Sequence, residues 1–442
     1  MPLINRPCVT PGVEVGKATL PLTYSQGLEY SAPARGTWTI MHLGLLIPET
    51  HIIFVCARCC LRGVSMSAAE LRAMDRFSTI TIEDSNLLEG NTERILIDGV
   101  TDIIRNLAVR PKGVIIYTSC VHEFVGSDLT FSFEKLRETF PDIAFADGYM
   151  TPILRKRITP DMRNRRQIYT MIRKAPDTLR DNGVTIAADV RPLKEHSDVR
   201  RVVQTARRPW RTITAAATWE AYQALARSEF VLTVNPSGKA AREWMAENLG
   251  MKPIALSCGW DFDENEAMLT GLAATLGAEL LNWKDARQAA DAALKKAQSI
   301  IGDTPVAIDY TATMRPLSLT RLLIRYGFNV VRVYCDTVFP QETADFEALK
   351  TEKPALRLMP TTAVGMVRAR TPENTKTLAV GQKAAWFEHT DHFVNMVEND
   401  GADGFSGITY LAQSLTDAFL HPKNARDIIQ IKALGCSAGG CL

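Results

Sequence analysis

His51-Ile-Ile-Phe-Val-Cys56-Ala-Arg-Cys59-Cys60-Leu-Arg-Gly63 joins a strongly apolar run, His51 to Val55, to three cysteines within five residues. A short, continuous apolar run reads as a buried strand of a parallel sheet, covered on both faces. Gly113-Val-Ile-Ile-Tyr117-Thr-Ser-Cys120-Val-His-Glu-Phe-Val-Gly-Ser-Asp128 repeats the pattern, an apolar run and then a cysteine. Parallel sheets place ligands beyond the carboxyl ends of their strands, so the two sites are expected to converge on one crevice. Thiolates gathered there suit soft metals and iron–sulfur clusters. The same residues also read as ordinary buried thiols, because free cysteine is among the most buried residue types.

Outward from these runs, short apolar segments alternate with longer helical patterns, the signature of parallel α/β units. The first block is expected to carry strands at His51–Val55, Gly113–Tyr117 and Ile143–Ala146, with helices at Ala68–Met74, Arg94–Leu107 and Phe133–Phe140. A basic helix near Arg165–Lys174 leads to a second block, with strands Val184–Ala188, Phe230–Asn235 and Ile254–Ser257 and a helix over Ala240–Leu249. The third block opens at Pro305–Asp309, followed by a helix over Leu317–Tyr326 and a strand at Asn329–Tyr334. Thr377–Gly381 reads as a late strand, and Gly407–Phe419 as a final helix returning toward the first block. Three parallel-sheet, Rossmann-like domains around a central crevice are the expected fold. Their expected bounds are 1–160 (completed by 400–442), 161–300 and 301–399.

The composition is that of a soluble globular protein: 442 residues, 46% hydrophobic, 23% charged and a net charge of +2. No apolar run reaches the ~18 residues a membrane span needs. Met1-Pro-Leu-Ile-Asn-Arg-Pro7 lacks the charged start and apolar stretch of a secretory signal. A cytoplasmic protein without membrane or nucleic-acid partners is expected, its nine cysteines metal-binding or inert rather than disulfide-bonded.

No Gly-x-x-x-x-Gly-Lys-Ser/Thr phosphate loop and no Gly-x-Gly-x-x-Gly dinucleotide fingerprint is present. Asn235-Pro-Ser-Gly-Lys239 lacks the required glycine spacing and reads as a helix cap. If the chain is a redox protein, its electrons come from elsewhere. His389 and His392 are three residues apart and could meet at one metal on a helix, line a substrate crevice, or lie in a surface turn. His122 and Glu123 either tune a cluster by hydrogen bonds or sit at a helix start. Cys258 and Cys335 each end a strand and read as buried thiols or single ligands. Cys436 and Cys441 lie in a glycine-rich tail.

The setting Thr118-Ser-Cys120-Val-His-Glu-Phe-Val-Gly-Ser-Asp128-Leu, with Cys60 upstream, resembles the component 1 superfamily of nitrogenases. Val234-Asn-Pro-Ser-Gly-Lys-Ala-Ala241, Pro305-Val-Ala-Ile308 and Gly401-Ala-Asp-Gly-Phe405 are similar to later segments of that family. Tyr30-Ser-Ala-Pro-Ala-Arg-Gly-Thr-Trp38, Phe145-Ala-Asp-Gly-Tyr-Met-Thr-Pro-Ile153 and Gly381-Gln-Lys-Ala-Ala385 resemble a branch that does not fix nitrogen. That wider group includes methylthio-alkane reductases and tetrapyrrole reductases.

The resemblance implies an oxidoreductase subunit with an iron–sulfur cluster, of 4Fe–4S or eight-iron P-cluster-like type, on Cys56, Cys60 and Cys120, with Cys59 as a further ligand candidate. It implies a homologous second subunit in a heterotetramer, an ATP-dependent iron–sulfur protein as electron donor, and a small-molecule substrate. Reductive C–S cleavage of a methylthio-alkane is the expected activity; a tetrapyrrole reductase component and a scaffold for metallocluster assembly are the alternatives. A larger active-site iron–sulfur cofactor is a further expectation, on this chain or its partner. The chain departs from the family at three places. No cysteine stands near Ser31 or Ala32, where the first cluster ligand falls. None stands near Asn235–Ser237, where the cofactor cysteine falls. No histidine stands near Asp400, where the cofactor histidine falls.

Overall fold

The computed structural model describes residues 12–22, 40–150, 160–368 and 376–429. The Tyr30–Trp38 motif, with Ser31 and Ala32, and the tail cysteines Cys436 and Cys441 lie outside the described residues. The chain forms two compact units. One comprises Trp38–Pro192 and Arg208–Leu256; the other comprises Met1–Thr37, Leu193–Arg207 and Ser257–Leu442.

The first unit holds two four-stranded parallel sheets. In the first sheet, β1 (Thr50–Ala57), β2 (Phe77–Ile82), β3 (Gly113–Thr118) and β4 (Ala144–Tyr149) are ordered β2-β1-β3-β4. Its helices include α1 (Arg58–Glu70), α2 (Thr92–Asn106), α3 (Cys120–Val125) and α4 (Leu129–Thr139). Successive strand residues face opposite sides of a sheet. On one side Ile53, Val55, Val114 and Ile116 pack with Leu96, Val100, Phe133 and Leu136. On the other, Ile52, Phe54, Cys56, Ile115 and Tyr117 pack with Leu61, Val64 and Ala68. Both faces being covered, the central strands need apolar residues at every position, which is why their runs are unbroken.

The second sheet, β5 (Asp181–Ile186), β6 (Trp210–Thr212), β7 (Ser228–Thr233) and β8 (Lys252–Ala255), has the same winding, β6-β5-β7-β8. Helix α5 (Pro160–Gln167) packs on both β4 and α6 (Lys239–Leu249) and so joins the two sheets through one core. The basic helix expected over Arg165–Lys174 therefore starts earlier and stops at Gln167. Proline suits a first helical turn, which fits a start at Pro160. Nor is this run simply a solvated face. Arg165 is wholly buried, donating from Nε to Asp161 at 2.9 Å and from Nη1 to the Ala188 carbonyl at 2.6 Å.

The other unit contains α7 (Phe262–Leu276), α8 (Lys284–Ile301) and a third sheet. Parallel strands β9 (Pro305–Asp309), β10 (Asn329–Tyr334), β11 (Arg357–Met359), β12 (Leu378–Val380) and β13 (Phe393–Val394) are ordered β11-β10-β9-β12-β13. Val13–Glu14 adds an antiparallel edge to β11. Helix α9 (Pro316–Arg325) follows β9, α10 (Gln382–Glu388) follows β12, and α11 (Phe405–Leu420) packs on α8, β12 and β13. The final helix, expected to return toward the first block, thus lies in the unit of the third sheet. Among the described residues no helix is long and apolar enough to cross a membrane.

All three sheets are doubly wound. In the first two the first strand sits between the second and the third, and in the third sheet β9 sits between β10 and β12, so in each the chain leaves neighbouring strands in opposite directions. Ligands of such sheets bind at that reversal, beyond the carboxyl ends of the two strands. The reversals lie at β1/β3, β5/β7 and β9/β12.

Candidate functional site

The three reversals differ in what the chain puts there. At β5/β7 the side-chain oxygen of Asn235 accepts the Ser237 N–H at 2.8 Å, shaping the turn that opens α6. Asn235-Pro-Ser-Gly-Lys239 is thus a helix start. At β9/β12 the reversal is filled from within. The buried Asp309 carboxylate accepts N–H groups from Thr311 at 2.7 Å and Ala384 at 2.6 Å. It occupies the space a side chain at Gly381 would need, and Gly381 has a φ of 105°.

The β1/β3 reversal is lined by sulfur. Strand β1 delivers Cys56 near its end, and the first turn of α1 carries Cys59 and Cys60. Across the reversal, Ser119 is the N-cap of α3 and Cys120 its first residue. Cys56 is buried, Cys60 and Cys120 are half-buried, and Cys59 is exposed. The Cys59 and Cys60 sulfurs lie 3.9 Å apart. All six described cysteines are free thiols.

Desolvation pushes the Cys56 thiol up to about 12, and Cys60, Cys59 and Cys120 add to the rise. Cys60 is raised by its own burial and then by its hydrogen bond to Cys59. Cys56 and Cys60, both raised, resist ionising, and a cation is what would make them thiolates. The helix start is also suited to negative charge. Ala57 at the N-cap of α1 offers no side-chain acceptor, so the amides of the first turn are left for another partner. An all-sulfur donor set beside free amides fits an iron–sulfur cluster.

His122 is buried beside these residues in sequence, its Nδ1 3.3 Å from the Ser119 carbonyl. Burial lowers its pKa, so the ring is held neutral. Its Nε2 and the Ser119 hydroxyl have no hydrogen-bond partner. Among the described residues no three His, Cys, Asp or Glu side chains close on a single metal ion. A polynuclear cluster is larger than an ion and needs its thiolates set wider.

His389 and His392 are not brought onto one helical face. His389 ends α10 in the left-handed region, φ 50°, and is exposed, whereas His392 Nδ1 lies 3.1 Å from the Ala418 carbonyl. The helical spacing on which a shared metal depends is absent. Cys258 and Cys335 are buried, and burial raises both thiols far above their usual range. Sequence reasoning missed the uncapped start of α1, placing the helix from Ala68. The signal was available: no Ser, Thr, Asp or Asn precedes Arg58, which leaves an apolar strand running straight into a helix.

A profile of the family described as nitrogenase component 1 type oxidoreductase matches residues 39–369, well over half of the chain. A solved structure titled "Nitrogenase Cp1 at pH 6.5" is similar with a TM-score of 0.66 at 13% identity, covering 90% of this chain and 95% of that one. Another, "Nitrogenase Cp1 at pH 5", has a TM-score of 0.59 at 12% identity, covering 92% and 91%. At these identities the likeness is one of fold. No curated protein matches.

Proposed function

The chain belongs to the nitrogenase component 1 type oxidoreductase family, and from that membership we propose that it is one subunit of the catalytic component of a nitrogenase-like reductase. Cys56, Cys60 and Cys120 hold an iron–sulfur cluster at the β1/β3 reversal, covered by a homologous second chain. Such a cluster, when bound, supplies one-electron transfer at low potential. The chain's own part is to keep sulfur ligands together in a desolvated pocket and to present them where the strand order reverses. The observation that carries this reading is the gathering of thiols at one reversal of the three; at the others the chain places a helix-capping Asn235 and the buried Asp309 carboxylate.

Electrons are delivered by a separate ATP-hydrolysing iron–sulfur protein, because the sequence contains no phosphate loop and no dinucleotide fingerprint of its own. The substrate is a small organosulfur compound, a methylthio-alkane whose C–S bond is cleaved reductively. An aromatic content of 7% speaks for a small substrate over a tetrapyrrole, which needs broad stacking surfaces. Free thiols at all the described cysteines suit a reducing, cytoplasmic setting.

The test is turnover with the components separated. Methylthio-alkane reduction is expected only when this chain, a homologous partner, the ATP-hydrolysing protein and a reductant are all present. Reduction by this chain alone without ATP contradicts the reading, and so does a complete system that turns over only a tetrapyrrole.

A further inference from the structure

We infer that the chain carries a second site, at the amino-terminal end of the first sheet, and that it takes a small organic anion: a carboxylate with a compact apolar body. The site lies outside the three reversals and does not rest on the cluster reading. A cavity of about 250 Å³ opens there, lined by Lys112, Asp142, Ala144, Arg173, Trp219 and Gln223. Lys112 directly precedes β3, and Ala144 opens β4. The six residues of β3, roughly 20 Å of strand, therefore stand between this cavity and the Cys120 end.

Charge gives the sign of the ligand. Asp142 is neutralised by Arg110, which donates to its two oxygens at 2.6 Å and 2.8 Å. The carboxylate of Glu49, which precedes β1, accepts the Trp219 N–H at 2.8 Å. Lys112 and Arg173 are exposed, and neither makes an ion pair among the described residues. Two unpaired cations thus line one small cavity whose own acid is already matched, a setting for a carboxylate.

The frame around those cations is fixed. The Lys112 N–H donates to the Glu49 carbonyl at 2.9 Å, and the Lys112 carbonyl accepts the Ala144 N–H at 3.0 Å. The Gln223 side chain clasps the backbone at Arg173, accepting its N–H at 2.9 Å and donating to the Met171 carbonyl at 2.9 Å. Trp219, which opens the short helix Trp219–Gln223, supplies the apolar wall. Its ring approaches the start of β3 so closely that a Cβ at Gly113 would lie 3.0 Å from it. Glycine there lets the indole lie against the strand end, and the Tyr222 ring holds it from another side at a centroid distance of 5.2 Å. The half-buried indole keeps a surface on which a flat apolar body packs well.

Size narrows the class. The cavity falls below the range of about 300–1,000 Å³ that drug-sized ligands occupy. The ligand is therefore a single acid group on a compact body rather than a nucleotide. Binding is non-covalent: the carboxylate bridges the Lys112 ammonium and the Arg173 guanidinium while its body rests on Trp219.

The experiment uses the full-length chain, with benzoate as the probe and acetate and inorganic phosphate as comparisons at matched ionic strength. Titration calorimetry reads affinity and stoichiometry for wild type, Lys112→Ala, Arg173→Ala and Lys284→Ala, the last removing an exposed lysine on α8. Benzoate should saturate a single site per chain, and Lys284→Ala should match wild type. Removing either lining cation should weaken benzoate binding roughly tenfold or more, the worth of a hydrogen bond to a charged group. Lys112 and Arg173 are exposed, so the thermal midpoints of both variants should match wild type and separate lost binding from lost folding. Acetate, which has the same acid group without the ring, should bind more weakly than benzoate, and phosphate should do the same. No saturable benzoate binding, or wild-type affinity in Lys112→Ala and Arg173→Ala, would overturn the inference. Phosphate or acetate binding as tightly as benzoate would overturn it too, because the indole wall would then play no part.

Discussion

Val55 pairs with Thr118 in the parallel ladder between β1 and β3. Cys56 follows the first partner directly and Cys120 stands two residues beyond the second. In-register strands that stop together set the cysteines of two distant segments side by side. Because the sheet order reverses between these two strands, helices α1 and α3 leave the pair in opposite directions and open a space between them. The site is thus a consequence of sheet register.

Cys60→Ala and Cys258→Ala should separate a ligand from a packing thiol. Cys258 is buried with its sulfur 3.7 Å from the Met268 sulfur. Its truncation should cost about 1 kcal/mol of stability through the small cavity it leaves, with iron content unchanged. Cys60→Ala should lose iron with little change in the stability of the metal-free chain. Denaturant titration and iron analysis of both variants check this; iron loss in Cys258→Ala would contradict the division of roles.

Gly148→Ala should destabilise the sheet that carries the site. A Cβ at Gly148 on β4 would lie 2.6 Å from the Tyr117 ring. That ring cannot easily yield, since it stacks on Phe54 at a centroid distance of 4.6 Å and its hydroxyl donates to the Ile40 carbonyl at 3.0 Å. Overpacking of this kind costs about 1–3 kcal/mol. Urea unfolding should show it, and a variant as stable as wild type would mean that the tyrosine relaxes freely.

Glu342 makes the third-sheet unit sensitive to alkali. Burial pushes its carboxyl from 4.5 up to about 8, although the Leu317 and Ser318 amides donate to it at 2.7 Å and 3.1 Å. A raised acid holds its proton more tightly when folded, so its contribution to stability is present below its unfolded value and is lost as pH rises toward about 8. Glu342→Gln keeps an acceptor oxygen for both amides and removes the titration. Between about pH 5 and about pH 8.5 the variant should gain on wild type by a few kcal/mol. Asp147 and Asp403, each raised to about 6, titrate in both proteins and cancel in the comparison. Parallel pH profiles for the two proteins would contradict the assignment.

Much of this architecture was legible in the sequence where one physical signal dominated. Strands β9 and β10 match their expected bounds, and β1 and β3 extend theirs by a residue or two, because a doubly covered strand needs an unbroken apolar run. Strand β2, Phe-Ser-Thr-Ile-Thr-Ile, escaped notice. It lies at a sheet edge, where alternate residues are polar, and threonine and serine mimic a loop. Arg165 was legible only as a basic residue, since its burial depends on the Ala188 carbonyl, twenty-three residues away. The convergence of the cysteines could be anticipated from their places after strands. The start of α1 among them, which sets Cys59 against Cys60, was signalled only by the absence of a capping residue before Arg58, a weaker mark than an apolar run. His389 could not be placed by spacing, because a left-handed residue ends its helix.

The central claim is that the β1/β3 reversal holds an iron–sulfur cluster through Cys120. Iron and sulfide analysis with paramagnetic resonance of the anaerobically produced Cys120→Ala protein tests it most directly, since a methyl group cannot replace a ligand thiolate. The account predicts that the variant stays folded, loses most of its iron and sulfide, and loses the wild-type signal. A folded Cys120→Ala protein with full iron content and an unchanged spectrum would contradict it.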